Sequence, residues 1–271
     1  MLLEPLLIVE LAALGIATGF LAGLLGIGGG MLMVPFITLI MSNRGVAPDL
    51  AVKMAIATSM ATIIFTSLSS VWAHHKRGAV RWDIVKRLAP GIVVGSLIGS
   101  LGVFALLKGA YLAIFFGLFV GFSATQMFLD KKPEPTRQLP GTGGLLTAGG
   151  LIGFLSGLVG AGGAFISVPF MTWCNVAIRN AVATSAALGF PIAVANVVGY
   201  IISGQNVQNL PAGAFGYIWL PALAVIAMCS FLVAPLGAKA AHTLPVDKLK
   251  RIFASVLYIL AAYMLYKGIA A

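Results

Sequence analysis

The sequence predicts an all-helical, polytopic membrane protein made of two inverted-topology repeats, each a glycine-broken helical hairpin followed by three transmembrane helices. Three observations carry this expectation. Of 271 residues, 60% are hydrophobic and 9% charged, where a soluble domain has roughly 25% charged residues. The apolar segments recur in two similar sets. The basic residues between them divide unevenly only if each set contains a hairpin.

Mean hydropathy is +1.04 over the whole length, which leaves no room for a soluble domain. Long apolar runs exclude a β-barrel, whose strands would alternate over short segments. The net charge of +10 comes from 17 Lys and Arg lying between apolar segments, so it reads as orientation encoding and not as nucleic-acid binding. Two Cys and three His form no metal-ligand spacing, so neither a metal nor a cofactor is expected. The N-terminal Met-Leu-Leu-Glu-Pro lacks a basic region, and the first apolar segment is expected to stay as a helix.

Apolar runs fall at Leu6–Met41, Met54–Ala73, Ile84–Leu107, Tyr111–Leu129, Gly144–Cys174, Ala181–Ser203, Ala214–Ala234 and Leu249–Lys267. Most approach the ~20 residues that span hydrocarbon. The two longest are interrupted by Gly26-Ile27-Gly28-Gly29-Gly30 and Gly160-Ala161-Gly162-Gly163, which favours two arms in each. The Pro-rich, charged stretch 130–143 divides a first membrane repeat, 1–129, from a second, 144–271.

The repeats match residue by residue. Gly19-Phe20-Leu21-Ala22-Gly23-Leu24-Leu25-Gly26 returns 134 positions later as Gly153-Phe154-Leu155-Ser156-Gly157-Leu158-Val159-Gly160, and Val34-Pro35-Phe36 as Val168-Pro169-Phe170. Ala57-Thr58-Ser59 returns as Ala183-Thr184-Ser185, with Lys53 matched by Arg179. Internal duplication of this kind is the plan of many secondary transporters.

Eight simple crossings would split the basic residues almost evenly. If each long run is a hairpin returning to its starting side, 13 basic residues share one face and four the other, which makes the first face cytoplasmic. Each repeat then has an odd number of crossings, so the halves insert in opposite senses. Both termini are expected outside and the 130–143 linker inside, in a cell membrane. The arm Gly30–Met41 would make only about 18 Å of helix, short of ~30 Å of hydrocarbon, so re-entrant arms meeting near the midplane are an open alternative to full crossings.

Clustered Gly frees backbone N–H and C=O groups, which inside a membrane must be buried in protein or line a polar cavity. Helices restarting near Gly30 and Ala164 would aim free N–H groups and positive dipole ends at a shared site for a small anion. Candidate site residues are therefore Gly28, Gly29, Gly30, Gly162, Gly163 and Ala164. Close helix packing through small residues is the alternative.

The stretch Gly23-Leu24-Leu25-Gly26-Ile27-Gly28-Gly29-Gly30-x-Leu32-x-Val34-Pro35, the Ala57-Thr58-Ser59 element and the second copy resemble the TauE/SafE sulfite exporter family, also called the 4-toluene sulfonate uptake family. The resemblance covers essentially the whole chain. It implies a membrane transporter of sulfur-containing anions such as sulfite, thiosulfate or an organosulfonate like sulfoacetate. The second copy departs from the pattern: Ala164 stands where the first has Gly30, and Ala161 where it has Ile27, so the half-sites are not equivalent.

Thr58, Ser59 and Thr62, with Thr184 and Ser185, would supply hydroxyl donors to such a site, or else bond their own helix carbonyls. Asn196 is a lone amide within an apolar run, either lining the site or joining helices. Glu10 could carry a coupling proton or reach out to water, and Lys53 and Arg179 could attract anions at opposite vestibules or anchor helix ends. His74, His75, Lys76 and Arg77 form a basic cluster that sets orientation or senses pH. The expected partners are a small sulfur-containing anion and the lipid bilayer, with a homodimer left open. A passive anion channel rivals the carrier reading. A membrane-embedded enzyme would need a nucleophile–base pair or metal ligands that the sequence does not display.

Overall fold

A computed structural model describes residues 4–25, 29–129, 137–240 and 246–270. The first repeat comprises α1 (Pro5–Leu25), α2 (Gly30–Asn43), α3 (Pro48–His75), α4 (Trp82–Leu97) and α6 (Gly109–Leu129). α4 continues through a π-helical stretch, Ile98–Val103, into the short α5 (Phe104–Leu106). The second comprises α7 (Thr142–Val159), α8 (Ala164–Trp173), α9 (Ile178–Gly204), α10 (Leu220–Ala240) and α11 (Val246–Ala270). Eight of the described helices are long and apolar enough to cross a membrane, while α2 and α8 are shorter. With 14 and 10 residues, they reach about 21 and 15 Å, and neither crosses alone.

The apolar run beginning at Ala214 is not all helix. Ala214–Phe215 (β1) pairs antiparallel with Ile218–Trp219 (β2), and α10 begins only at Leu220. Gly213 and Gly216 take left-handed φ of 81° and 56°, which close this turn where other residues resist. Hydropathy alone reads Ala-Phe-Gly-Tyr-Ile-Trp as membrane helix, because it does not register backbone sign. Trp219 and Tyr217 are buried by the turn.

The two halves interlock. α1 packs on α10, α4 on α7, α6 on α11, and α3 crosses α9 at the centre. Exchanging the halves maps each pairing onto itself or onto another of the set. Small residues set the spacing. Along α4, Gly91 meets Leu146, Gly95 meets Gly150 and Gly99 meets Phe154 of α7, so these helices run in the same direction. Gly15 and Gly19 of α1 meet Ile226 and Ser230 of α10, and Gly237 meets Phe20, again in the same direction. α6 and α11 run oppositely: Gly268 meets Ala110 and Ile114, Gly117 meets Ala261, and the Tyr258 hydroxyl donates to Thr125 Oγ1 at 2.8 Å. With no hydrophobic driving force between helices in lipid, such close backbone approach supplies the van der Waals contact.

α3 and α9 carry the core. On α3 every residue from Met54 to Ile63 is buried. The π-helical stretch of α4 lies where Gly199 of α9 presses on Ser100, whose hydroxyl donates back to Ser96 O at 2.7 Å.

Candidate functional site

The sequence places helix restarts at Gly30 and Ala164, and α2 and α8 begin there. Behind each stands a left-handed glycine: Gly29 at φ 72°, ψ −9° and Gly163 at φ 75°, ψ −5°. The local hydrogen bonding is also shared. Leu32 and Met33 donate to the Gly29 carbonyl at 3.1 and 3.3 Å, and Ile166 and Ser167 donate to Gly163 at 3.1 and 2.9 Å. A left-handed residue with a Cβ costs roughly 1–2 kcal/mol, which accounts for glycine at both points. Gly28 lies outside the described residues.

The two breaks touch. A Cβ added to Gly30 would overlap the Gly160 carbonyl oxygen. The Ser59 hydroxyl, on α3, donates to Gly160 O at 3.0 Å and lies 3.5 Å from Gly30 O. Gly160 is itself left-handed, at φ 69°, and caps the end of α7. Gly30 is thus glycine by contact with the other half. Its repeat mate Ala164 keeps its Cβ and is buried, so the two helix breaks differ as their sequences do.

Beside this junction, where Gly189 of α9 approaches Ile63 and Ser67 of α3, lies a cavity of about 20 Å³, room for about one water. It is lined by Ala22, Ile63, Thr66, Ser67, Ser70, Gly162, Ser185, Ala186 and Gly189. Ser185 Oγ is 2.7 Å from Ser167 Oγ of α8. Thr66 and Ser67 donate to carbonyls of their own helix, and the buried Ser70 Oγ has no hydrogen-bond partner. None of the lining side chains is charged.

The family profile described as Sulfite exporter TauE/SafE matches residues 11–264. The chain belongs to the TauE/SafE family. A probable membrane transporter protein of Haemophilus influenzae is 37% identical over 254 residues, covering 93% of this chain and 96% of the relative. Others from Methanocaldococcus jannaschii and Bacillus subtilis are 27% and 28% identical, and each alignment covers at least 96% of both chains. No solved structure matches the chain. This TauE/SafE protein is therefore a multi-pass membrane protein of a transporter family.

Of the remaining residues singled out in the TauE/SafE sequence, some surround the junction and some do not. Thr58 Oγ1 accepts the Trp219 N–H at 3.0 Å, and Thr184 Oγ1 accepts the Arg81 N–H at 3.0 Å. Thr62 donates to Thr58 O on its own helix at 3.0 Å. Asn196 is fully buried against Gly157; its Nδ2 donates to Ile192 O at 2.9 Å and its Oδ1 has no hydrogen-bond partner. Tyr200, a turn further on, donates to Gly157 O.

Glu10 on α1 is exposed, and so is Arg179 at the start of α9. Lys53 is half-buried: its ammonium donates to Ala105 O at 3.1 Å and sits 5.6 and 5.4 Å from the ring centres of Phe104 and Tyr217. It ties α3 to the end of the α4–α5 helix. Burial pushes the Tyr217 hydroxyl above its ordinary pKa, so the ring meets Lys53 as a neutral face. In the basic cluster, His75 Nδ1 accepts the Trp82 indole N–H at 3.2 Å and Lys76 stacks over Trp72 at 3.6 Å, as interfacial anchors do.

Sequence reasoning passed over Thr66, Ser67 and Ser70, which line the cavity. The signal was present. Thr58, Thr62, Thr66 and Ser70 recur every fourth residue, a hydroxyl stripe along one face of α3.

Proposed function

We propose that the protein is a secondary carrier of small sulfur-containing anions, sulfite, thiosulfate or an organosulfonate, which it holds near the bilayer midplane where the two glycine breaks meet. The observation that carries this reading is the apposition of Gly30 and Gly160 beside a hydroxyl-lined cavity, which has to widen from its one-water size to admit an anion. Two helices start at this place. Their first N–H groups precede the first intrahelical acceptor, so they are free to meet a ligand. The positive ends of α2 and α8 favour an anion, and Ser70 and Ser185 add donors that suit sulfonyl oxygens. Hydrogen bonds to a charged group are worth roughly 1.5–3 kcal/mol each, so a few can offset anion desolvation without a buried Arg.

Opposite insertion of the two halves is supported by helix direction. Repeats related by an axis along the membrane normal would leave α6 and α11 parallel, whereas their contacts run antiparallel. An axis in the membrane plane reverses them and keeps α1 with α10 and α4 with α7 in the same sense, as observed. The 13-to-4 division of basic residues then orients the molecule, with termini outside and the 130–143 linker cytoplasmic.

The repeat relation also favours a carrier. Residues matching Ser70 and Ala22 of the cavity are Asn196 and Ser156, both buried with a polar atom lacking a partner. Ser70 and Asn196 are thus matched buried residues, one in each half, each with a polar atom lacking a partner, which suits a carrier that exposes a site to alternate sides. The test is flux in proteoliposomes. Saturable sulfite counterflow, with thermal stabilisation by sulfite or sulfonate but not chloride, is expected. Flux without saturation or counterflow would indicate a channel, and no response to any sulfur oxyanion would overturn the substrate.

A further inference from the structure

Resting on the carrier reading, we infer that the cavity between α3 and α9 is a site for one sodium ion, carried with the anion and lying beside it. The size suits such an ion and nothing much larger. About 20 Å³ holds a single water-sized occupant, and a dehydrated sodium ion is smaller than a water molecule. The anion takes the space that opens when the cavity widens toward the glycine breaks.

The lining offers oxygen lone pairs. Thr66 Oγ1 commits its hydrogen to Thr62 O and Ile63 O of its own helix, both at 3.4 Å, and Ser67 Oγ commits its hydrogen to Ile64 O at 3.0 Å. Each of these oxygens has only lone pairs left for an occupant. Ser185 and Ser167 share one hydrogen bond of 2.7 Å, and whichever donates, Ser185 keeps a free lone pair. The Ser70 hydroxyl is buried without a partner. The Gly162 carbonyl oxygen lies 3.9 Å from the point that a Cβ on Gly189 would take. Unmatched oxygens are costly inside a membrane, and one cation satisfies several of them at once.

Charge sets the class of cation. Among the described residues no group of His, Cys, Asp or Glu could hold a metal ion, and no lining side chain is charged. Calcium and magnesium call for carboxylates, whereas a monovalent ion is held by neutral hydroxyl and carbonyl oxygens at broken helices. Such ligands leave no Cys, His or carboxylate spacing in a sequence. The helix ends fit both charges. α7 ends at Val159 and α8 begins at Ala164, so Gly162 lies between a negative helix end and a positive one. The positive end draws the anion, and the carbonyls of the break draw the cation. Bound together, the two ions offset each other's charge, whether the anion carries one negative charge or two, and no buried Arg is needed. A serine hydroxyl serves both ions when its oxygen meets the sodium ion and its hydrogen meets the anion, and Ser70 is free to do so.

The test uses the purified full chain in sodium, potassium or choline chloride at equal ionic strength, with methanesulfonate or sulfite added as the choline salt. Without a sulfur anion, sodium should raise the melting temperature saturably. Potassium, which is larger and takes more ligands, should not, and neither should choline. Sodium should tighten methanesulfonate binding at least about fivefold, and methanesulfonate should tighten sodium binding by the same factor, because coupling is reciprocal. Ser70→Ala, which breaks no hydrogen bond of the protein, should weaken sodium binding about tenfold. Gly189→Ala puts a methyl group among the lining residues at ordinary contact, 3.4 Å from Ser67 Cβ. Alanine suits a helix better than glycine, so this variant should melt no lower than the wild type in choline, yet lose the sodium response. Melting and sulfonate affinity that ignore sodium would overturn the inference and leave the cavity to a water. A sodium response that survives both substitutions would overturn it too. In either case, saturable sulfite counterflow in choline would leave the carrier reading standing. Sodium stabilisation that is lost in both variants, with no sulfur anion bound under any condition, would instead keep the ion site and overturn the carrier reading.

Discussion

Thr58 holds Trp219 by its backbone: the threonine hydroxyl accepts the Trp219 N–H at 3.0 Å across 161 residues of chain. The repeat mate Thr184 holds Arg81 in the same way at 3.0 Å. Trp219 and Arg81 are the residues immediately before α10 and α4. Each half thus uses a threonine on its central helix to satisfy a donor at the start of a helix in the other half, a cap supplied in trans to the repeat.

Thr58→Val keeps the volume and removes the acceptor. The buried Trp219 N–H is then left without a partner, which costs about 1–3 kcal/mol and should lower the melting temperature by several degrees. Thr58→Ser should retain most of the stability. Sulfonate affinity measured below the melting transition should change little in either variant. Normal melting with lost affinity would instead put the Thr58 hydroxyl on the ligand.

The glycine breaks predict an asymmetry between repeat mates. Gly30→Ala drives a Cβ into the Gly160 carbonyl and should abolish transport, with reduced yield of folded protein. Ala164→Gly, the reciprocal change, should remain folded and active, at a cost near the ~1 kcal/mol for Gly in a helix. Equal tolerance of both changes would show that the breaks do not meet as described.

Asn196 and Gly157 form a testable pair. A Cβ on Gly157 would overlap Asn196 Oδ1, and crowding of this kind costs about 1–3 kcal/mol. Asn196→Ala removes the obstacle and breaks only a bond to its own helix. The double variant Gly157→Ala, Asn196→Ala should therefore melt higher than Gly157→Ala alone. Additive losses in the double-mutant cycle would mean that the two residues do not press on each other.

Orientation is open to cysteine labelling. Single thiols introduced at the exposed positions Asn43 and Gln208 should react with an impermeant maleimide added outside intact cells, and one at exposed Arg77 should not. The native Cys174 is a poor competitor, because burial raises its thiol pKa against the opposing pull of Arg137, and thiolate is the reactive form. Removing Cys229 gives a quiet background. Labelling of Arg77→Cys from outside would reverse the assigned topology.

Much of this architecture was legible from local chemistry. Hydrophobic length marks a spanning helix whatever its neighbours are. A glycine cluster stops a helix by itself, and the restarts at Gly30 and Ala164 fall where the sequence places them. The repeat was visible because matched glycines and threonines recur in order. What the sequence left open was which groups meet. Thr58 and Ser59 are neighbours and looked alike as site donors, yet one hydroxyl is taken by Trp219 and the other by Gly160. Whether a hydroxyl is free for a ligand depends on which carbonyl or N–H lies within 3 Å, and those partners stand 101 and 161 residues away. The cavity-lining Thr66, Ser67 and Ser70 gained their place for the same reason: helical periodicity puts them on one face, but only the crossing of α3 with α9 decides that this face borders a cavity. Backbone direction, strand or helix at Ala214–Trp219, and the contact that forbids a Cβ at Gly30 were likewise decided in three dimensions, because each depends on close packing between segments that sequence spacing alone does not bring together.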